Sequence, residues 1–171
     1  MQKDFKIKGK VWLITDNNNN LINDIDTDMI FHNRYLAITD INEMGKYTFD
    51  NLEEWKDFAQ KAEKGDIVIT GKNFGSGSSR QQAVDCFRSL GIQAILSESF
   101  GAIYKRNAIN SGLPILEIKK INLNKLHQRE LIEIDLQDGS TSSEFLEIEP
   151  FSKVQMEIYQ SGNLFYYGEF V

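Results

Sequence analysis

The sequence predicts an α/β fold built on a parallel βαβαβ core. Three observations lead there. Apolar runs recur at Ile67 to Ile69, Ile92 to Leu96 and Leu113 to Ile118; helical patterns fill both gaps between them; and a glycine-rich turn, Gly71 to Arg80, joins the first run to the first helix. Strands separated by helices pair in parallel with right-handed crossovers.

Before this core, Phe5 to Ile14 mostly alternates apolar with polar and reads as one long or two short strands. Asn17 to Asn20 form a polar, turn-tolerant insertion. Asp24, Asp26 and Asp28 could suggest a calcium loop, but the glycine and the downstream glutamate of such a loop are missing. They read instead as capping and turn residues. His32 to Thr39 has no clear period, and a helical start follows at Asp40. Leu52, Trp55, Phe58, Ala59 and Ala62 share one helical stripe closed by Gly65, which predicts a surface helix over 52–62.

Within the core, helices are expected at Ser79 to Leu90 and Ser99 to Ser111, with Ser78 or Ser79 capping the first and Ser99 the second. Gly112 and Pro114 end the second helix. Beyond Lys120, alternation at 131–136 and 144–148 around the turn 137–140 predicts an additional β-hairpin, and Phe151 to Gly162 a final helix. The aromatics and Ile158 of that last segment are core or interface residues.

A chain of 171 residues, 41% hydrophobic and 26% charged, suits one domain with a substantial core. Its net charge of −6 argues against a nucleic-acid partner, which would need clustered lysine and arginine. No run approaches a membrane span and the first residues lack a signal peptide's apolar stretch, so the expectation is a cytoplasmic protein. Cys86 is the only cysteine, which excludes an internal disulfide and an iron–sulfur cluster held by this chain alone. It reads as a small buried apolar residue. His32 and His127 lack ligand-like spacing, so no metal is expected on this chain.

The run Gly71-Lys72-Asn73-Phe74-Gly75-Ser76-Gly77-Ser78-Ser79-Arg80 carries the chemistry. Its glycines let a ligand approach the backbone, the helix behind favours an anion, and Arg80 adds a two-pronged carboxylate donor. A Walker loop is excluded, because Gly71 and Gly77 are wrongly spaced and no lysine follows. A dinucleotide fingerprint fits Gly75 and Gly77, but Arg80 stands where its third glycine belongs. An ordinary capped turn, and a binding module for phosphate or a nucleotide, stay open at this point.

The same run resembles the signature of the small subunit, or swivelling domain, of the aconitase and 3-isopropylmalate dehydratase family. Asp24 to Ile30 is similar to the family's amino-terminal Asp-Thr-Asp segment, and Glu98-Ser99-Phe100 through Arg106 to Pro114 to its second helix. The resemblance runs from about Phe5 to about Glu117. It implies a single swivelling β/β/α domain over 1–171, with a motif core over 5–118 and the hairpin and helix over 119–171.

The activity it implies is a hydro-lyase that dehydrates and rehydrates a hydroxylated di- or tricarboxylate through a cis-alkene. The first candidate substrate is 3-isopropylmalate, with homoaconitate and methylated malates as alternatives. Carried onto this sequence, Ser78 removes the proton, and Gly77, Ser79 and Arg80 hold substrate carboxylate. The loop carrying Arg34, Tyr35 and Leu36 faces the part of the substrate that varies. A large partner subunit, in a heterodimer or heterotetramer, would carry a [4Fe-4S] cluster, and this chain alone would be inactive. Gln81-Gln82 stand where relatives commonly have Glu-His, and Ser76 where cysteine is common.

Overall fold

The computed structural model describes residues 2–169, organised around one six-stranded sheet. β1 (Lys6–Leu13) precedes three short helices: α1 (Thr27–Ile30), α2 (Ile41–Met44) and α3 (Phe58–Lys61). The core then alternates as β2 (Ile67–Thr70), α4 (Gln82–Leu90), β3 (Ala94–Ser97), α5 (Ala102–Asn110) and β4 (Ile115–Ile121). Every residue of β2 and β3 is buried. Strands covered on both faces read as unbroken apolar runs, which is why these two stood out in the sequence. β2 pairs in parallel with β3, and β3 with β4, as expected. β1 adds a fourth parallel strand through Val11 opposite Ile67 and Leu13 opposite Ile69.

The expected hairpin does not form as a pair. Both of its strands exist, but β5 (Leu131–Asp135) pairs antiparallel with β1, and β6 (Leu146–Ile148) antiparallel with β4. The sheet order is therefore β5-β1-β2-β3-β4-β6, with the two strands on opposite edges. Alternation specifies a strand with one buried face, not its partner. A parallel core leaves two open edges, and each strand covers one of them. The turn after β5 folds back on β5, where Ser142 N–H donates to the Glu133 carbonyl at 2.9 Å. The sheet then curls until its edges meet, and Phe151 N–H donates to the Leu136 carbonyl at 2.9 Å.

Alternate strand residues feed two cores. Val68, Ile95 and Ile115 face α4 and α5 together with Phe49, Phe58, Phe74, Phe87 and Tyr104. Ile67, Ile69, Leu96 and Leu116 face the other way, against Leu126, Ile132, Ile148 and Phe151. Cys86 is fully buried in the first cluster, as its helical setting suggests.

The helix expected over 52–62 is reduced to α3. Glu54 takes a φ of 71°, which interrupts any helix there, and Trp55 instead donates its indole N–H to the Thr15 carbonyl at 2.9 Å. Leu52 and Phe58 are buried nonetheless. The last helix forms as α6 (Lys153–Ser161), capped by Ser152, and a further short helix, α7 (Leu164–Gly168), follows it beyond the expected end at Gly162. Among the described residues, no helix is long and apolar enough to cross a membrane.

Candidate active site

The three stretches that stood out in the sequence meet at the carboxyl end of β2. Leaving that strand, the turn 71–80 is stitched to 23–27 on one side and to 99–101 on the other. Gly75 N–H donates to the Ile25 carbonyl at 2.8 Å, and Thr27 N–H to the Ser76 carbonyl at 2.9 Å. Opposite, Phe74 N–H donates to the Ser99 carbonyl at 3.0 Å, and Gly101 N–H to the Phe74 carbonyl at 2.8 Å. The fully buried Phe74 ring pins the middle of the turn, packing edge-on against Tyr104 with centroids 5.3 Å apart.

Both glycines of this turn take a positive φ, +78° at Gly75 and +90° at Gly77, but only Gly75 is also closed to a Cβ by its neighbours. At Gly75 a Cβ would lie 2.2 Å from Cγ of Tyr104, so the turn and α5 could not approach as they do. Gly77 has open space around it but a φ of +90°, a conformation costly for other residues.

The serines do not cap helices. α4 begins only at Gln82, three residues later than expected, and its N-cap residue Gln81 makes no side-chain capping bond. Ser78 and Ser79 are exposed in the turn before it. Ser99 does not cap α5 either; that helix starts after Gly101, and the Ser99 hydroxyl accepts from Asn73 N–H at 2.8 Å. Each serine is thereby released from a capping role. The Ser78 hydroxyl and the N–H groups of Ser78, Ser79 and Arg80 make no hydrogen bond among the described residues. The Ser79 hydroxyl accepts from Asn107 Nδ2 of α5 at 3.2 Å. Asn107 lies inside a stretch quoted for the resemblance, but nothing in its sequence context marked it as a partner of Ser79.

Arg80 is only half the clamp expected. Its side chain is 10% exposed, and Nη1 is committed to the Phe31 carbonyl at 2.6 Å, the Thr27 carbonyl at 3.2 Å and Asp28 Oδ1 at 3.2 Å. Nη2 and Nε make no bond among the described residues, which leaves one edge of the guanidinium for a ligand.

The acids of 24–28 take three separate jobs. Asp24 accepts from Asn73 Nδ2 at 2.9 Å, Asp26 caps α1 by accepting from Met29 N–H at 2.8 Å, and Asp28 pairs with Arg80. Desolvation pushes the Asp28 carboxyl up, but the N–H of Asn33, Arg80 and His32 outweigh it and hold the group below its ordinary value.

Arg34, Tyr35 and Leu36 lie in or next to a 3₁₀ turn, Asn33–Tyr35, started by His32, whose Nδ1 accepts from Arg34 N–H at 3.0 Å. The exposed Arg34 lies 5.2 Å from the Tyr35 ring centroid, and Leu36 is 44% exposed. Gln81 faces both an acid and a hydroxyl. Its amide donates to Asp85 Oδ1 at 3.2 Å and to Ser111 Oγ at 2.7 Å, where a carboxylate would face a carboxylate.

Cavities of about 380, 450 and 80 Å³ lie along β1 and β5, beside α6, and between α5 and β4. None of these three includes Ser78, Ser79 or Arg80; Ser78 and Ser79 are exposed on the surface, with the Arg80 side chain largely buried behind them. Burial pushes the Cys86 thiol up to about 12, and no group of three His, Cys, Asp or Glu side chains suited to a metal gathers among the described residues.

The profile of the family described as aconitase C-terminal domain matches residues 2–121. The chain is 38% identical over 163 residues to the 3-isopropylmalate dehydratase small subunit of Halothermothrix orenii, covering 93% of each. It is 37% identical to the isopropylmalate/citramalate isomerase small subunit of Methanocaldococcus jannaschii, over 94% of this chain and 92% of that one. Its fold is similar to the crystal structure of 3-isopropylmalate dehydratase from Methanocaldococcus jannaschii, with a TM-score of 0.79 and 31% identity over 96% of this chain and 93% of that one.

Proposed function

The chain belongs to the aconitase C-terminal domain family, and from that premise we propose that it is the small subunit of a hydro-lyase, 3-isopropylmalate dehydratase, active only when joined to a large subunit. The observation that supports this most is the run Ser78-Ser79-Arg80 on an open turn, with free hydroxyl and N–H groups beside one anchored cation.

The reaction removes water from a hydroxylated dicarboxylate and returns it with the hydroxyl on the neighbouring carbon. Ser78 takes the proton from carbon in the first half and gives it back in the second. A serine hydroxyl is a poor base in water, so its oxyanion needs donors already in place. The unpartnered N–H groups of the turn, the positive end of α4 and Arg80 supply them. Gly77 lets the substrate reach that backbone, while Ser79 and the free edge of Arg80 hold carboxylate. Arg34, Tyr35 and Leu36 meet the substrate's branched end.

The [4Fe-4S] cluster of this enzyme class does not fit this chain, whose one thiol is fully buried in the core. We assign the cluster to the large subunit, and the two subunits to a hetero-oligomer. The test is to co-express the chain with a cluster-bearing large subunit, purify the pair without oxygen and follow alkene absorbance with 3-isopropylmalate. Turnover supports the reading. A stable pair inactive on 3-isopropylmalate but active on citramalate would replace the substrate, an outcome made specific by the name of the Methanocaldococcus relative. Failure to form any pair would favour a phosphate-binding or nucleotide-binding module.

A further inference from the structure

Residues outside the site described above grip the turn of Arg34, Tyr35 and Leu36 at two points. The Tyr35 hydroxyl donates to Oδ2 of Asp50, and its ring stacks on Tyr47 with centroids 4.0 Å apart and planes 19° from parallel. One residue on, the Leu36 carbonyl accepts from Nε2 of Gln82 at 3.2 Å. Asp50 follows the 3₁₀ turn Gly45–Tyr47, whereas Gln82 opens α4, so the two grips come from different elements.

We propose that Asp50 and Gln82 are positioning residues that fix the 33–36 turn and so decide which hydroxy acid the site accepts. The assignment rests on the function proposed above. Three features carry it. First, in a 3₁₀ turn of three residues whose Leu36 is 44% exposed, Tyr35 alone packs against the core, so the turn's position is set by what holds Tyr35 and the Leu36 carbonyl. Second, Asp50 Oδ1 is buried without a hydrogen-bond partner among the described residues. An unpaired buried oxygen is a cost to folding, and its retention beside a bonded Oδ2 points to a job for this carboxylate other than stability.

Third, the grip reaches the anion end of the site as well. The Phe31 ring packs edge-on against Tyr35 and Tyr47, with centroids 5.8 and 6.4 Å away, while the Phe31 carbonyl holds Nη1 of Arg80. Moving Tyr35 therefore disturbs the residue that orients Arg80. Gln82 acts through a group that only a donor can serve, because its partner is a carbonyl oxygen.

The experiment uses the anaerobically purified two-subunit complex and compares KM and kcat for 3-isopropylmalate and citramalate. Asp50→Ala and Gln82→Glu each lose a grip. Each is expected to raise KM for 3-isopropylmalate by about fivefold, the worth of one hydrogen bond, and to narrow the preference over citramalate; kcat stays within about twofold in Gln82→Glu, whose grip is on Leu36 and not on the Tyr35–Phe31–Arg80 chain. Asp50→Asn keeps an acceptor for Tyr35 and Gln82→Lys keeps a donor for Leu36, so both should restore wild-type discrimination. If Asp50→Ala fails to assemble, the partly exposed Gln82 carries the test. An active wild type whose Gln82→Glu variant discriminates as before, or loses kcat at unchanged KM, overturns this assignment alone. A wild-type complex that turns over no hydroxy acid overturns the proposed function and this assignment with it.

Discussion

Nη1 of Arg80 donates to the Phe31 carbonyl at 2.6 Å, so the residue that follows Ser78-Ser79 is fastened to the end of α1 while Nη2 and Nε stay unbonded among the described residues. A planar, five-donor group can do both at once; an ammonium cannot. Arg80→Lys is expected to lower kcat/KM of the assembled enzyme by about 100-fold, the usual scale for losing one preplaced donor. Steady-state kinetics on the complex checks this, and a loss under about threefold would leave Arg80 with only the structural half of its role.

Gly75 and Gly77 should respond differently to alanine. At Gly75 the added carbon meets the Tyr104 ring at 2.2 Å, so Gly75→Ala must move α5 or the turn and is expected to cost several kcal/mol, on the scale of a badly overpacked core. Gly77→Ala meets nothing closer than 3.7 Å and carries only the left-handed backbone cost of about 1–2 kcal/mol. Urea denaturation of the two variants ranks them; equal stability would contradict the close approach at Tyr104.

The same contrast explains what could be read from sequence. The turn, both core helices and the parallel strands each leave a local mark: glycine where a Cβ is forbidden, an apolar stripe, an unbroken apolar run. The partners of β5 and β6 leave none, because alternation is identical whether a strand meets its neighbour in sequence or an edge far away. Ser78 and Ser79 looked like caps because serine before an apolar stripe usually is one. The stitching of 71–80 to 23–27 and 99–101 holds them short of the helix, and that is a tertiary fact. Asn107 and Asp50 were missed for the same reason: their partners, Ser79 and Tyr35, are brought to them by packing.

At the opposite end of β2, Asp66 is the hub of a buried clasp. Its carboxylate accepts from Arg129 Nη1 at 2.8 Å and Nη2 at 3.1 Å, from Trp12 Nε1 at 2.7 Å and from Glu63 N–H at 2.8 Å. Removing one partner of a buried pair strands the others, so Asp66→Ala should cost about 3–5 kcal/mol in urea unfolding. Because the clasp lies away from Ser78, kcat of the complex should stay within about twofold at a temperature where the variant is folded. A stability loss below about 1 kcal/mol would mean that Arg129 is satisfied by solvent and Glu63 instead.

Asp28 gives the fold a dependence on acid. Its carboxyl is held below the ordinary value, so the unfolded chain binds the proton more readily than the folded one. The contribution is present above the unfolded pKa of about 4 and is lost as pH falls through the lower, folded value. Asp28→Asn should therefore flatten the fall in urea midpoint below about pH 4 without changing its shape near neutrality. An unchanged acid limb would show that Asp28 titrates alike in both states.

Ser78→Ala separates chemistry from architecture. The side chain is exposed and its hydroxyl bonds to nothing among the described residues, so its loss should change stability by no more than about 0.5 kcal/mol and leave binding to the large subunit intact. If the hydroxyl moves the proton, turnover should fall by at least about 100-fold. Ser79→Ala makes the control: its backbone N–H persists and only the acceptor for Asn107 is lost, so its effect should fall on KM more than on kcat. A Ser78→Ala complex that turns over at a near-normal rate would take the proton step away from this chain, whereas a dead Ser78→Ala beside a slowed Ser79→Ala would locate it on one oxygen.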